Sequence, residues 1–266
     1  MELLCPICAA PLRQFDRTWR CAAGHCFDTA RQGYIHLLPV QQKHSLNPGD
    51  TREQVLSRRA FLEAGFYTPI ADTLCEAARE LGCAGPILDV GCGEGYYSTR
   101  VAQALDAPLT GLDISKEAVR CAAAKYKGAQ WVCGSAARLP FEDSSAGLLM
   151  SLFALTVPEE FARVLKPDGY FFQVLAQEDH LLGLKSIIYP TLTHKEKNTT
   201  PQVPGFTLVR QIPIRFTFTV EGEQVRNLLS MTPHVYRISK EGAQRLNETD
   251  KLTDTASAVL NIYRPA

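Results

Sequence analysis

The stretch Pro86-Ile87-Leu88-Asp89-Val90-Gly91-Cys92-Gly93-Glu94-Gly95-Tyr96-Tyr97 decides how the rest of the chain is read. A short apolar run holds the carboxylate Asp89 near its end. Glycines follow at the alternate positions 91, 93 and 95, and a helix-forming segment comes next. That order predicts the first strand, tight turn and first helix of a doubly wound α/β sheet. Glycine lets the backbone approach a ligand closely, and the opening turn of a helix offers it unpaired N–H groups. The spacing Gly-x-Gly-x-Gly differs from the Gly-x-Gly-x-x-Gly of dinucleotide binders. About twenty residues further on, Thr110-Gly111-Leu112-Asp113-Ile114 reads as a second strand ending in a carboxylate, where the hydroxyl pair of a ribose would lie.

These paired segments resemble motifs I and II of the class I S-adenosylmethionine-dependent methyltransferases. The resemblance implies a Rossmann-like sheet in which Asp89, Gly91, Gly93 and Gly95 surround the methionine end of the cofactor and Asp113 takes the ribose hydroxyls. A glycine turn of purely structural use is the competing reading; strand, glycines and both carboxylates in step favour the methyl-donor site.

The remaining pattern fits the same fold. A helix is expected over 115–126 with Ser115 as its cap, then strands over 129–133 and 147–153. Residues 158–170 read as helix, turn and fifth strand. The alternation Ile212-x-Ile214-x-Phe216-x-Phe218-x-Val220 marks a late strand, and Val259 to Tyr263 is expected to close the sheet. Two positions depart from common methyltransferase patterns. Ser135-Ala136-Ala137 stands where many carry an aspartate for the adenine amino group. Ser151-Leu152-Phe153-Ala154 replaces the Asn/Asp-Pro-Pro-Tyr/Phe of enzymes that methylate exocyclic nitrogens. With no cysteine placed to attack a pyrimidine carbon, a ring nitrogen or another acceptor is left open.

The chain has 266 residues, enough to bury a sizeable core, and Lys+Arg balances Asp+Glu at 28 each. Overall charge therefore gives no argument for nucleic-acid binding, which would need local patches. No apolar window suggests a membrane span and no export signal is seen, so a cytoplasmic enzyme is expected. Of nine cysteines, Cys5, Cys8, Cys21 and Cys26 crowd the N-terminus, an arrangement suited to metal and not to disulfides. Cys5-x-x-Cys8 and the later Cys21-Ala22-Ala23-Gly24-His25-Cys26 can close a tetrahedron around zinc, with His25 or Cys26 as the fourth ligand. Pro11 to Trp19 between them reads as a hairpin. A module this small needs the metal to fold.

Further motifs narrow the resemblance. Gly33-Tyr34-Ile35-x-Leu37-Leu38-Pro39-Val40-Gln41, Asn47-Pro48-Gly49-Asp50 and Arg58-Arg59-Ala60-Phe61-Leu62, behind a Cys-x-x-Cys ribbon, look like the RlmA-type 23S ribosomal RNA guanine-N1 methyltransferases. The likeness runs essentially from end to end. It implies Cys5, Cys8, Cys21 and His25 as zinc ligands, cofactor contacts from Tyr67, Tyr96 and His180, 23S rRNA as partner and a homodimer. His234, Tyr236 and Arg237 would border the target base. Arginines 13, 17, 20 and 31 interleave with Phe15, Trp19 and Tyr34, which suits phosphate contact and stacking on unpaired bases.

The expected organisation is a zinc-ribbon module for RNA over residues 1–40, a linker with entry helices over 41–85, and the methyltransferase domain over 86–266. The expected activity is methyl transfer from S-adenosylmethionine to N1 of a guanine in a 23S rRNA hairpin. A small-molecule methyltransferase with structural zinc and a non-catalytic RNA-binding protein are the alternatives. The segment Thr191 to Pro204, with Lys195 and Lys197, is expected as a loop over the active-site mouth.

Overall fold

A computed structural model describes residues 1–39, 48–192 and 198–266. Val40, Gln41, Lys43 and Asn47 of the N-terminal motifs, and Lys195 and Lys197 of the expected mouth loop, lie outside the described residues.

Three short strands, β1 Arg13–Phe15, β2 Thr18–Arg20 and β3 Cys26–Asp28, form a small antiparallel sheet. The hairpin turns at Asp16, which is left-handed at φ 52°. Strand β4, Tyr34–His36, does not belong to that sheet. Although it lies inside the expected 1–40 module, it pairs in parallel with β7, Gln130–Cys133, as the edge of the large sheet. The small sheet therefore ends at Asp28, and β4 belongs to the large sheet.

The large sheet adds β5 Ile87–Val90, β6 Leu109–Asp113, β8 Ala146–Leu152, β9 Leu165–Ala176, β10 Phe206–Glu221 and β11 Lys251–Pro265. Its order is β10-β11-β9-β8-β5-β6-β7-β4. All pairings from β4 to β9 are parallel, and β9-β11-β10 are antiparallel. The last strand in sequence does not form the edge: β11 lies inside, and β10 flanks it. The turn expected at 166–169 is absorbed into β9, whose register slips between Leu165 and Tyr170.

Apolar residues alternate between two faces along each central strand, as burial on both sides requires. Ile87, Leu148 and Met150 enter one core; Leu88, Val90 and Leu149 enter the other. The first face is covered by helices: α1 Arg52–Glu63, α2 Thr68–Glu80, α3 Tyr96–Leu105 and α4 Lys116–Lys125, followed by α6 Leu182–Ile188, α7 Glu223–Ser230 and α8 Lys240–Asn247. Thr51 and Gln54 close a capping box at α1, and Ser115 caps α4 as its position suggests. The second face has only α5, Pro158–Val164, among the described residues. The N-terminal module fills the remainder: Leu3 and Leu12 pack with Phe141, and Leu4 N–H donates to Pro140 O at 2.8 Å.

Gly111 shows how closely the parallel strands are seated on what lies above them. A Cβ there would come within 2.3 Å of the Trp131 ring. That ring is buried and its Nε1–H donates to Tyr126 O at 2.9 Å, so it has no room to withdraw. Gly111→Ala should cost about 1–3 kcal/mol, read as a fall in melting temperature of roughly 2–10 °C. Gly128→Ala, with nothing within 4 Å of the added carbon, should leave the melt unchanged.

Candidate functional site

Two sites take shape, one in the small sheet and one at the carboxyl ends of the parallel strands. In the first, Cys5, Cys8, Cys21 and His25 bring one donor atom each within 4.8 Å of the others. Cys8 Sγ is 3.6 Å from Cys21 Sγ, and His25 Nδ1 is 3.4 Å from Cys21 Sγ and 3.5 Å from Cys5 Sγ. Tetrahedral zinc with Zn–S near 2.3 Å puts its ligand atoms about 3.8 Å apart, so the donor set fits that ion. Direction favours His25 in the open choice of fourth ligand: the Cys26 thiol is exposed and donates to Gly24 O at 3.3 Å. Desolvation opposes ionisation of Cys21, but hydrogen bonds from the His25 backbone, the Cys8 thiol and the Ala23 backbone prevail and draw it down to about 6. Burial pushes Cys5 up.

In the second site, Gly91, Gly93 and Gly95 all have φ between 55° and 83°, and Gly95 starts α3. Asp113 closes the turn from the neighbouring strand: its Oδ2 accepts the Gly93 N–H at 2.9 Å and its Oδ1 the Ser115 N–H at 2.8 Å. Each oxygen retains a lone pair for a ligand hydroxyl. Two buried polar atoms, Asp89 Oδ1 and Ser98 Oγ, have no hydrogen-bond partner. Burial lifts Asp89 to about 7, and the nearby Asp113 and Glu94 carboxylates add to the rise. A cavity of about 370 Å³ lies between β4, the start of α1 and the start of α4, lined by His36, Leu38, Asp50, Arg52, Ser115 and Glu117. Close backbone approach, free acceptor capacity and an orphaned carboxylate oxygen suit a ligand that carries hydroxyls and an amino group, as S-adenosylmethionine does.

Tyr67 and His180 meet although far apart in sequence. The Tyr67 hydroxyl is 3.4 Å from His180 Nε2, while the Ser257 N–H donates to His180 Nδ1 at 3.1 Å. Burial drives the Tyr67 phenol well above its ordinary value, so it stays neutral. The Tyr96 hydroxyl is 3.3 Å from Thr68 Oγ1, and Arg100 stands 3.8 Å over its ring. The next residue, Tyr97, meets the Tyr96 ring edge-on at 5.1 Å, and burial pushes its phenol well above the ordinary value.

Arg58 is the main member that sequence reasoning did not assign. It pairs with Asp50, donates to Met231 O at 3.3 Å and lies 3.9 Å from where a Gly93 Cβ would be. Desolvation disfavours its charge, but Asp50, Glu94 and Asp113 outweigh that. Its one signal in sequence was its place in the motif after Asn47-Pro48-Gly49-Asp50. Gly49 packs against Ser115 so tightly that a Cβ would meet it at 2.8 Å, and the Ser115 hydroxyl donates to Asp50 O at 2.7 Å. Ser135 Oγ, at the usual adenine position, accepts the Ala137 N–H at 3.2 Å. His234 Nδ1 is 2.8 Å from the Tyr189 hydroxyl. Tyr236, 69 % exposed, donates to Gln54 Oε1 at 2.9 Å, and Arg237 beside it is exposed.

Comparison with known proteins agrees with both sites. The family described as RlmA, N-terminal, a zinc ribbon, matches residues 3–46, and the methyltransferase domain family matches residues 88–173. A 23S rRNA (guanine(748)-N(1))-methyltransferase of Streptomyces fradiae is 35% identical over 99% of this chain and 96% of its own length. A Micromonospora griseorubida protein, provisionally named as a 23S rRNA (guanine-N(1)-)-methyltransferase, is 37% identical over 99% of this chain and 97% of its own. Among solved structures, a methyltransferase described as type II from Anaeromyxobacter dehalogenans superposes with a TM-score of 0.50 at 18% identity, covering 71% of this chain and 95% of that one. No helix among the described residues is long and apolar enough to cross a membrane.

Two measurements follow from this geometry. Cys26→Ala should keep about one zinc per chain by elemental analysis, whereas His25→Ala should lose it. Asp89 releases its proton near 3.8 when unfolded and about 7 when folded, so the folded state holds the extra proton between those values. Its contribution to stability is complete below pH 4 and declines as pH rises through 7. Thermal melts of the ligand-free protein from pH 5 to 8 should fall more steeply for the native sequence than for Asp89→Asn.

Proposed function

The chain belongs to the RlmA-type 23S rRNA guanine-N1 methyltransferases, class I enzymes that use S-adenosylmethionine and carry an N-terminal zinc ribbon, and we propose that it methylates N1 of a guanine in a hairpin of 23S rRNA. The observation that carries this reading is the full-length match to a guanine-N1 enzyme in a chain that joins a zinc-type donor cluster to a methyl-donor turn in one packed body.

Bound S-adenosylmethionine supplies an electrophilic methyl group on a sulfonium sulfur. The protein's task is to hold N1 in line with that methyl group and to exclude water. Gly91, Gly93 and Gly95 let the backbone close around the methionine end, with Asp89 as acceptor for its amino group. Asp113 takes the ribose hydroxyls. The neutral Tyr67 hydroxyl and His180, kept in orientation by the Ser257 N–H, border the same end of the sheet. Guanine N1 carries a proton near neutral pH, so a base would have to accept that proton as the N1–C bond forms and the S–C bond breaks, with S-adenosylhomocysteine leaving.

The ribbon, Cys5, Cys8, Cys21 and His25 around zinc, presents the RNA-facing hairpin. Arg13 and Arg20 sit opposite each other across β1 and β2, an arrangement that is unfavourable without an anion between them. Phe15 is 58 % exposed on the same hairpin. Phosphates and an unpaired base satisfy both features. We further propose a homodimer, for which the 16-residue edge strand β10 offers exposed Leu208 and Val209; sedimentation at several concentrations tests it. The site of action would be the cytoplasm, where ribosomal RNA is made.

Incubation with labelled S-adenosylmethionine and 23S rRNA lacking modifications should place the label in 1-methylguanosine, read by nuclease digestion and mass spectrometry. Label found only in small metabolites, or cofactor binding without transfer, would overturn the reading. Asp113→Ala should weaken cofactor binding about tenfold or more, because a charged acceptor for two hydroxyls is lost. Zinc content should stay unchanged.

A further inference from the structure

The loop after β8 carries two apolar side chains that the packing of the fold leaves in solvent. Phe153 is 41 % exposed and Leu155 is 83 % exposed. A solitary surface leucine needs no explanation. Here, however, the backbone beneath both residues is fixed at three points. Phe153 N–H donates to Val174 O at 2.9 Å, the Ser151 hydroxyl to Leu155 O at 3.3 Å, and Gln173 Nε2 to Thr156 Oγ1 at 2.8 Å. Phe153 has φ 54°, a left-handed conformation in which a bulky residue is an outlier. Such strain persists only where the surroundings enforce it, and it gathers at ligand-binding sites.

The loop also sits where the substrate must arrive. A Cβ on Gly91 of the cofactor turn would meet Ala154 Cβ at 2.6 Å. On the other side the His180 ring lies 6.1 Å from the Phe153 ring, tilted by 35°. A base taken out of a helix needs a new π-face to stack on, and the gap it leaves is commonly filled by an apolar wedge.

We propose that Phe153, backed by His180, receives the face of the target guanine beside the methyl-donor turn, and that Leu155 enters the RNA stack in the place the guanine vacates. This rests on the guanine-N1 reading above and adds how the base leaves its stack. Two side chains on one braced loop match a single base and its gap. A protein interface would need a broad, contiguous apolar patch.

The test uses the full-length protein and a hairpin RNA with 2-aminopurine at the target position, which brightens when unstacked. The native protein should raise this fluorescence, and Leu155→Ala should lose most of the rise. Phe153→Ala should lower kcat/KM on the natural hairpin about 10- to 100-fold, the loss expected of one base–aromatic stack. Phe153→Trp should stay within about threefold of the native value. Cofactor affinity and thermal melts of all three variants should match the native protein, which separates stacking from misfolding. The Leu155→Ala defect should be largely relieved on an RNA whose target guanine is already unpaired. Equal loss in Phe153→Ala and Phe153→Trp, an unchanged 2-aminopurine response in Leu155→Ala, or no relief on the unpaired RNA would overturn the proposal. An active native enzyme with indifferent variants refutes this inference alone; a native enzyme that methylates no 23S rRNA refutes the guanine-N1 reading with it.

Discussion

The carboxylate of Asp113 ties the ends of two adjacent parallel strands together, and the cofactor end of the molecule takes its shape from that tie. One oxygen accepts from Gly93 in the turn after β5, the other from Ser115 at the cap of α4. Neither loop can shift without breaking a hydrogen bond to a charged, desolvated acceptor, which is among the costlier contacts to lose. Trp131 supports the arrangement from within: added carbons at Gly95 and Gly111 would lie 2.5 and 2.3 Å from its ring. Arg58 meets the turn from α1, and its single positive charge is shared among Asp50, Glu94 and Asp113. Burial raises both Glu94 and Asp113, and the Arg58 guanidinium opposes that rise in each.

The second face of the sheet explains why the metal module is part of the enzyme's body. A doubly wound sheet must cover both faces, and here α5 alone cannot cover the second. Leu3, Leu12 and Ile35 come from the N-terminal segment to join Leu88, Leu149 and Phe171 in that core. The ribbon's strands are three residues each and largely exposed. Its cohesion must therefore come from the Cys5-Cys8-Cys21-His25 cluster on one side and from the sheet on the other. The result holds the arginine-bearing hairpin in a fixed relation to the cofactor turn.

Strain marks the same end of the sheet. Two of the left-handed non-glycine residues, Phe153 and Leu181, flank His180 in space or in sequence. Leu181 N–H donates to Thr255 O at 3.0 Å, and the neighbouring buried Asp254 accepts the N–H groups of Gly183 at 3.0 Å and Leu184 at 2.7 Å. Through that contact β11 sets the start of α6, α6 sets His180, and His180 meets Tyr67 at the start of α2. Three elements remote in sequence, α2, α6 and β11, thus converge on the Tyr67–His180 contact.

Much of this was legible in the residues because the signals are local. The apolar run before Gly91, the carboxylates at 89 and 113, the Ser115 cap and the paired cysteines act over a few residues, where backbone sterics and ligand geometry leave few options. Distance in sequence hid the rest. Tyr67 and His180 are 113 positions apart, and nothing local announces their meeting. Tyr96 and Tyr97 are neighbours about 100° apart on one helix, and only the packing of α2 against α3 brings the Tyr96 hydroxyl to Thr68. His25 and Cys26 were equivalent by spacing until the thiol was seen to turn outward. The order of the last strands, with β11 inside and β10 at the edge, is likewise set by which apolar faces can be buried together. Local chemistry thus settles what kinds of site this chain can build, while long-range packing settles which side chains stand in them, because only burial brings remote residues close enough to choose among them.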